Sequence, residues 1–82
     1  MYSIIYSKKA EKQLDKLEQD IRIRILKSLE KLRIRPEAYV EKLVGDPSYK
    51  FRVGDYRILY EVDRPGNLLG IVKIDKRERI YD

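Results

Sequence analysis

The sequence predicts an α+β fold, in which an N-terminal strand and an antiparallel helical hairpin precede a small, mostly antiparallel sheet. Two observations indicate this class. Apolar residues recur at helical steps of three and four within residues 10–32, and they alternate or run together within residues 49–74. Helical periodicity followed by strand patterns is typical of helices packed on one face of a sheet. We therefore expect the order β-α-α-β-β-β, with the end of the chain forming a last short strand or an ordered tail.

Length and composition limit the classes of site that this chain can build. Its 82 residues are enough for one domain, residues 1–82, with 43% hydrophobic and 40% charged residues. With no cysteine and no histidine, the usual Ser/His/Asp and Cys/His nucleophile arrangements cannot form. The carboxylates do not cluster at a ligand spacing, so we expect no metal and no cofactor. The net charge of +5 is compatible with a nucleic-acid partner.

The N-terminal residues carry no sign of export or membrane insertion. The opening M-Y-S-I-I-Y lacks the basic region and long apolar stretch of a signal peptide. No apolar run approaches the roughly 20 residues that cross a bilayer. We therefore expect a cytoplasmic protein with no membrane partner.

The first two predicted elements are a strand and a helix. The β-prone run Tyr2–Tyr6 predicts the strand, and Ser7 is suited to cap a helix that begins at Lys8. The helix carries one apolar stripe on an otherwise charged surface, formed by Ala10, Leu14 and Leu17.

A second helix follows, for which we expect Asp20 to be the N-cap. Its apolar stripe, with Leu26 beside it, consists of Ile21, Ile25, Leu29 and Leu32. Pro36 ends the helix, because the residue before a proline is biased out of the α region. A short connection between the two helices predicts that they lie antiparallel.

A β-hairpin is predicted after a connector, Glu37–Ser48. Its strands are Tyr49–Val53 and Tyr56–Val62, joined by Gly54 and Asp55. Glycine at the first loop position suits a type II′ turn. This turn would place Val53 opposite Tyr56 and would fix every other pair of the hairpin.

The two faces of this hairpin differ in chemistry, because side chains alternate along a strand. One face should meet the helices with Tyr49, Phe51, Val53, Tyr56, Ile58 and Tyr60. The other face, which we call the open face, carries Lys50, Arg52 and Arg57. The predicted register sets Arg52 against Arg57, and like charges directly opposite destabilise a hairpin. Such a pair indicates an anion-binding function, although a solvated face is the simpler alternative.

The last predicted strand follows a turn. Pro65 and Gly66 suit the centre of a type II turn. The run Leu68–Ile74 is apolar almost throughout, as expected for a strand covered on both faces. A basic end follows, residues 76–82, in which Tyr81 lies beside the cations and could stack on an RNA base or contact a ribose hydroxyl. The simpler alternative for Tyr81 is a terminal anchor.

The whole chain resembles the RelE toxin family, within the RelE/ParE group of toxin–antitoxin proteins. The hairpin and the closing K-R-E-R-I-Y are the specific part of this resemblance. The features that carry it are Lys8, Lys9, Ala10 and Leu14 after the first strand, the helix end before Pro36, the run 42–45, the hairpin 49–60 and the closing run 76–81.

The resemblance implies a metal-independent endoribonuclease that cleaves messenger RNA in the ribosomal A site and so inhibits translation. Attack by the RNA 2′-hydroxyl would leave a 2′,3′-cyclic phosphate and a 5′-hydroxyl. By motif position, the catalytic residues would be Lys50, Arg52, Arg57, Arg77 and Tyr81. The family commonly has lysine where this chain has Arg52, and arginine holds its proton more firmly.

The same resemblance implies a set of contacts and partners. RNA would be bound by Lys50, Arg52, Arg57, Lys76, Arg77 and Arg79. A cognate RelB-like antitoxin would hold the toxin inactive as a heterotetramer, and operator DNA would bind only through that complex.

Two other functions are compatible with the sequence. ParE-type relatives share the scaffold and inhibit DNA gyrase without cleaving RNA. A non-catalytic module that only binds nucleic acid would also use the cations of the open face. The combination of Arg57, Arg77 and Tyr81 favours the nuclease over the gyrase inhibitor, and the formation of cyclic-phosphate ends would distinguish it from the binding module.

Overall fold

A computed structural model of the chain describes residues 1–36, 41–42 and 48–76. Within these ranges two helices precede most of a five-stranded sheet, and the sheet has the order β1-β5-β4-β3-β2. Strand β1 is parallel to β5, and the other neighbours are antiparallel. The elements are β1 (Ser3–Tyr6), α1 (Lys8–Asp15), α2 (Gln19–Leu32), β2 (Glu41–Lys42), β3 (Tyr49–Val53), β4 (Tyr56–Asp63) and β5 (Leu68–Lys76). The predicted α+β fold and its order are confirmed.

Ser7 forms the junction between β1 and α1, as predicted. Its hydroxyl accepts a hydrogen bond from the backbone N–H of Ala10 at 3.0 Å, which caps the helix. The same hydroxyl donates to the carbonyl of Val72 at 2.7 Å. One side chain therefore starts the helix and fixes it to the interior strand β5.

Helix α2 begins at Gln19, two residues earlier than a cap at Asp20 would allow. Glu18 occupies the N-cap position without a side-chain hydrogen bond, and Asp20 lies in the first turn. The prediction of Asp20 as the cap was wrong, although its carboxylate still has the charge that a helix N-terminus favours. The predicted stripe is buried at Ile25, Leu29 and Leu32.

Leu26 does not belong to the buried stripe. It is exposed on the outer side of α2, together with Ile23. Successive helical residues are about 100° apart, so Leu26 is turned too far from the buried residues at positions 25, 29 and 32 to reach the sheet. Leu26, predicted to lie beside the stripe, therefore adds little to the buried surface of the helix.

The β3–β4 hairpin has the predicted register, with Val53 opposite Tyr56 and Arg52 opposite Arg57. Of the two turn residues, only Gly54 has a positive φ, of 58°. A type II′ turn needs positive φ at its first position alone, whereas type I′ needs it at both. The predicted turn type is therefore consistent with the backbone.

The turn between β4 and β5 differs from the predicted type II. Asn67, and not Gly66, has the positive φ, of 54°. The backbone N–H of Asn67 donates to the carbonyl of Arg64, so Pro65 and Gly66 are the central residues. A tight turn followed by a left-handed residue matches the twist of paired strands better than a type II turn does.

Strand β5 is an interior strand of the sheet, between β1 and β4, and within the described residues the helices cover one of its faces. Leu69, Ile71 and Ile74 are buried, whereas Val72 is exposed. An irregularity in the β4–β5 pairing leaves Val72 without a partner residue on β4. The expectation of burial on both faces was wrong at Val72, because the helices in the described ranges pack against the face of Leu69, Ile71 and Ile74, and the bulge obscures the alternation.

The core lies between this covered face and the two helices. It is formed by Ala10, Ile25, Leu29, Leu32, Val53, Ile58, Tyr60, Leu69, Ile71 and Ile74. Tyr49, Phe51 and Tyr56 are half-buried against it, so the predicted inner face of the hairpin is confirmed. No helix in the described ranges is long and apolar enough to cross a membrane.

Strand β2 falls inside the segment for which we predicted only a connector. It pairs Glu41 with Lys50 and Lys42 with Tyr49. Ser48, the last residue of that predicted connector, is buried, whereas residues 37–40 and 43–47 and the predicted last strand or tail after Lys76 lie outside the described residues.

Candidate functional site

The open face is organised in rows that cross three strands. One row runs from Arg52 through Arg57 to Asp75, and the next runs from Lys50 through Leu59 to Lys73. Paired residues share a face, since side chains alternate along each strand. Rows two residues apart along a strand are separated by about 7 Å, and neighbouring strands by about 5 Å. Four cations therefore lie within a small area of the sheet.

The two arginines of the first row are close neighbours. In a two-residue hairpin the closing pair exchanges hydrogen bonds, so the next pair, Arg52 and Arg57, is of the non-hydrogen-bonded type. Side chains are closest in such pairs, with Cα atoms about 4.5 Å apart. The sequence prediction that these arginines are adjacent on the open face is confirmed.

The burial of Arg57 was not predicted. Only 6% of this residue is exposed, whereas Arg52 is exposed. An arginine keeps its proton even when it is buried, and a charge in a low-dielectric environment acts more strongly on its surroundings. Arg57 therefore supplies a fixed positive charge beneath the surface, and Arg52 supplies an accessible one.

Two residues of β5 on the open face were absent from the sequence prediction. Lys73 lies opposite Leu59, and Asp75 lies opposite Arg57. Nζ of Lys73 is 3.6 Å from Oδ2 of Asp75, and the other carboxylate oxygen accepts the backbone N–H of Lys76 at 2.9 Å. Their side chains are 35% and 21% exposed. The bulge at Val72 concealed them, because it shifts the alternation that assigns residues to faces.

The remaining predicted site residues follow β5. Lys76 is exposed at the end of the strand, opposite Tyr56. Arg77, Arg79 and Tyr81 lie outside the described residues. The structure thus brings Lys50, Arg52 and Arg57 onto one face, next to the strand that leads to the other predicted residues.

Tyr60 takes no part in the open face. Its ring stacks on Tyr49 with centroids 5.5 Å apart, and its hydroxyl donates to the carbonyl of Pro36. Burial, with a further effect from the neighbouring Tyr49, raises the pKa of Tyr60 well above its ordinary value. The hydrogen bond of this phenol therefore connects the sheet to Pro36, just after the end of α2.

The far end of the open face has a different character. A shallow depression of about 250 Å³ lies there between β4, β5 and β1. Its lining combines apolar and acidic residues: Ile5, Glu61, Val62, Asp63, Leu68 and Gly70. The cations are therefore concentrated at one end of the face, where an anion would be bound.

The sequence from residue 4 to residue 81 matches the family described as "ParE toxin of type II toxin-antitoxin system, parDE". No curated protein shows significant sequence similarity to the chain.

Solved toxin structures share the fold over nearly the whole chain. RelE of the archaeal RelE–RelB complex from Pyrococcus horikoshii OT3 is 30% identical, with 95% of this chain and 97% of that chain covered and a TM-score of 0.81. The isolated RelE toxin of E. coli is 27% identical, with 99% and 92% covered and a TM-score of 0.86. A YoeB/ParE toxin from Agrobacterium tumefaciens, 16% identical over 93% and 98% of the two chains, shares the fold with a TM-score of 0.79.

The family match covers nearly all of the chain, and the archaeal RelE is similar in both sequence and fold. The described elements occur in the order that the resemblance to RelE predicts. The chain therefore belongs to the RelE/ParE superfamily and is a toxin of a type II toxin–antitoxin system.

Proposed function

We propose that this toxin is a ribosome-dependent endoribonuclease that cleaves messenger RNA in the A site. The observation that carries the proposal is the pairing of Arg52 with Arg57 on a face that also holds Lys50. A pair of like charges that weakens the hairpin is explained by a phosphate that binds between them. RNA supplies its own nucleophile, the 2′-hydroxyl, so the absence of histidine and cysteine from the sequence does not prevent this reaction.

The reaction requires three contributions from the protein. The 2′-oxygen must lose its proton and attack the phosphorus, the charge on the phosphate oxygens must be stabilised, and the leaving 5′-oxygen must gain a proton. Arg52 would contact the phosphate directly, and the buried Arg57 would hold charge beneath it. Lys50 lies two residues before Arg52 on the same face of β3, and it would accept the 2′-hydroxyl proton.

Two residues of the closing motif would complete the reaction. Arg77 would protonate or stabilise the leaving oxygen, and Tyr81 would assist at the 2′-hydroxyl. The products would be a 2′,3′-cyclic phosphate and a 5′-hydroxyl. Because the site has no strong base at neutral pH, the ribosome would contribute much of the rate by holding the message in line for attack.

A RelB-like antitoxin is the partner that we propose for the free toxin. Several structural neighbours are toxins in complex with RelB proteins, including those of Pyrococcus horikoshii and E. coli. A polypeptide with acidic side chains would neutralise the cations of the open face and so block access of RNA.

Inhibition of DNA gyrase is the second candidate function. It is favoured by the family match, which is to the ParE toxins. Under this alternative the open face would bind a protein, and message would remain intact while supercoiling is inhibited.

Primer extension on programmed ribosomes distinguishes these functions. We expect a new stop at the A-site codon and a cyclic-phosphate end, both lost in Arg52→Met. The matched control is Lys27→Met, which removes a charge from the exposed side of α2. Intact message beside inhibited gyrase would overturn the nuclease proposal. Bound but uncleaved RNA would indicate a module that only binds nucleic acid.

A further inference from the structure

Lys73 lies where a second anion-binding position would be expected on the open face. It is directly opposite Leu59, and Lys50 is opposite the same residue on the other side. The two lysines therefore flank Leu59 across β4, with Cα atoms about 10 Å apart, or two strand spacings. Leu59 is half-buried between them and presents an apolar surface.

This row of residues is parallel to the row of arginines. Two residues of strand separate the rows, which corresponds to about 7 Å. An extended strand of RNA that sets one phosphate at Arg52 and Arg57 would pass over the row of Lys50, Leu59 and Lys73. Lysine is suited to this position, because its ammonium group is a point charge that can bind a phosphate without a fixed geometry.

In the absence of RNA, Asp75 is the ion-pair partner of Lys73. Its Oδ2 is 3.6 Å from Nζ of Lys73, while its Oδ1 accepts the N–H of Lys76. An ion pair at this separation between partly exposed groups is weak. A phosphate can therefore displace the carboxylate from Lys73.

We propose that Lys73 binds a second phosphate of the same RNA strand, adjacent to the phosphate held at Arg52 and Arg57. The inference rests on the proposed nuclease function and extends its footprint from one nucleotide linkage to two. Asp75 is the internal counterion that the phosphate replaces.

The test must distinguish a direct contact between Lys73 and an RNA phosphate from the effect that the negative charge of Asp75 has on RNA binding. Removing Lys73 from the native chain also uncovers that carboxylate, which by itself would weaken RNA binding. The informative comparison is therefore made in an Asp75→Asn background, where the ion pair is already lost. We would measure binding of a short single-stranded RNA with 2′-O-methyl groups, which cannot be cleaved, by fluorescence anisotropy over a series of KCl concentrations.

Three results are expected. Asp75→Asn binds RNA more tightly than the native chain, because a negative charge beside the cations is gone. Adding Lys73→Met to Asp75→Asn weakens binding by up to about fivefold, the upper limit for an exposed ion pair. The same addition lowers the slope of log affinity against log salt by about 0.7, the value for one phosphate of a single strand. Lys27→Met, added instead to Asp75→Asn, removes one lysine charge from α2. It should leave the RNA affinity and the salt slope close to those of Asp75→Asn alone.

Two outcomes would overturn the inference, and they are distinguishable. If Arg52→Met weakens binding but Lys73→Met and Lys27→Met are equivalent in the Asp75→Asn background, Lys73 contacts no phosphate and the proposed function stands. If Arg52→Met has no effect on RNA binding either, the proposed function fails together with the inference. Circular dichroism of each variant checks that the fold is retained.

Discussion

Arg52 and Arg57 lie directly opposite each other on neighbouring strands, yet Arg52 is exposed and Arg57 is 6% exposed. Like charges directly opposite each other destabilise a sheet, and cross-strand pairs contribute about 0.2–1 kcal/mol to its stability. Arg52→Thr should therefore raise the free energy of unfolding by up to about 1 kcal/mol, because it removes the repulsion and places a β-branched residue on the strand. Urea denaturation measures this change.

The same substitution should reduce RNA cleavage, so stability and activity are expected to change in opposite directions. Glu61→Thr is the control, since it places the same residue at an exposed position of β4 away from the arginine pair. A loss of stability in Arg52→Thr would mean that repulsion between the two arginines does not weaken the folded chain. The reason for proposing a phosphate between the arginines would then disappear.

The hydroxyl of Tyr60 connects the sheet to the end of α2 through the carbonyl of Pro36. Tyr60→Phe keeps the ring stacked on Tyr49 but leaves a buried carbonyl without this donor. We expect a loss of about 1–3 kcal/mol in the free energy of unfolding. Tyr56→Phe, at a half-buried position, should cost less, and equal losses in the two variants would contradict the assigned role of the hydroxyl.

Tyr60 should also make the fold sensitive to alkali. Burial raises its pKa above the ordinary value of 10.0, so between these two values the unfolded chain has lost the proton that the folded chain keeps. The contribution of this pKa difference to the free energy of unfolding is fully present below pH 10. It declines by about 1.4 kcal/mol per pH unit as the pH rises above 10. The difference in stability between the native chain and Tyr60→Phe should therefore narrow as the pH rises through 10. A constant difference would show that the phenol ionises equally in both states.

Local rules predicted most of the fold because several of them agreed at the same positions. Ser7 is a good cap that precedes an apolar stripe, and Gly54 fixes a turn from which every cross-strand pair of the hairpin follows. The adjacency of Arg52 and Arg57 could therefore be read from the sequence. The site residues of the closing motif came from the family resemblance, and their roles stay predictions.

Part of what the sequence did not indicate depends on contacts between distant parts of the chain, and part on ambiguous local signals. The cap of α2 was misassigned because Glu18 and Asp20 are both acidic residues near the same boundary. Lys73 and Asp75 were missed because the bulge at Val72 interrupts the alternation of β5. The burial of Arg57 depends on how neighbouring strands and side chains cover it, and a pattern within one strand cannot show that.

Ser7 is expected to stabilise the fold through two bonds of one hydroxyl. Ser7→Ala removes both the cap of α1 and the bond to the carbonyl of Val72. Loss of a cap alone costs about 1 kcal/mol, so we expect a decrease of about 1–2 kcal/mol in urea denaturation. Ser28→Ala is the matched control, since the hydroxyl of Ser28 only donates to the carbonyl of Arg24 one turn earlier in α2. Alanine is the better helix former there, so stability should be unchanged or slightly higher.

Gly54, in the turn of the β3–β4 hairpin, is expected to affect both the stability of the fold and the alignment of Arg52 with Arg57. Gly54 has a φ of 58°, and a Cβ at this position would lie 3.2 Å from Nη1 of Arg24. The arginine is exposed and can move, so the backbone conformation accounts for most of the cost, about 1–2 kcal/mol for Gly54→Ala. Gly54→Asn should cost less, because asparagine tolerates positive φ. Gly70→Ala is the control, as its Cβ would meet only the carbonyl oxygen of Glu61, at 3.9 Å.

The functional consequence of Gly54→Ala follows from the register of the hairpin. A slip of one residue would turn Arg52 toward the core and a core residue toward the open face, since the side-chain period of a strand is two. We therefore expect the activity of Gly54→Ala to decline more steeply with temperature than that of Gly70→Ala, as the hairpin pairing is lost before the fold unfolds. Amide hydrogen exchange of β3 and β4 measures this directly. Equal protection of these strands in the two variants would show that the turn does not hold the arginines in register.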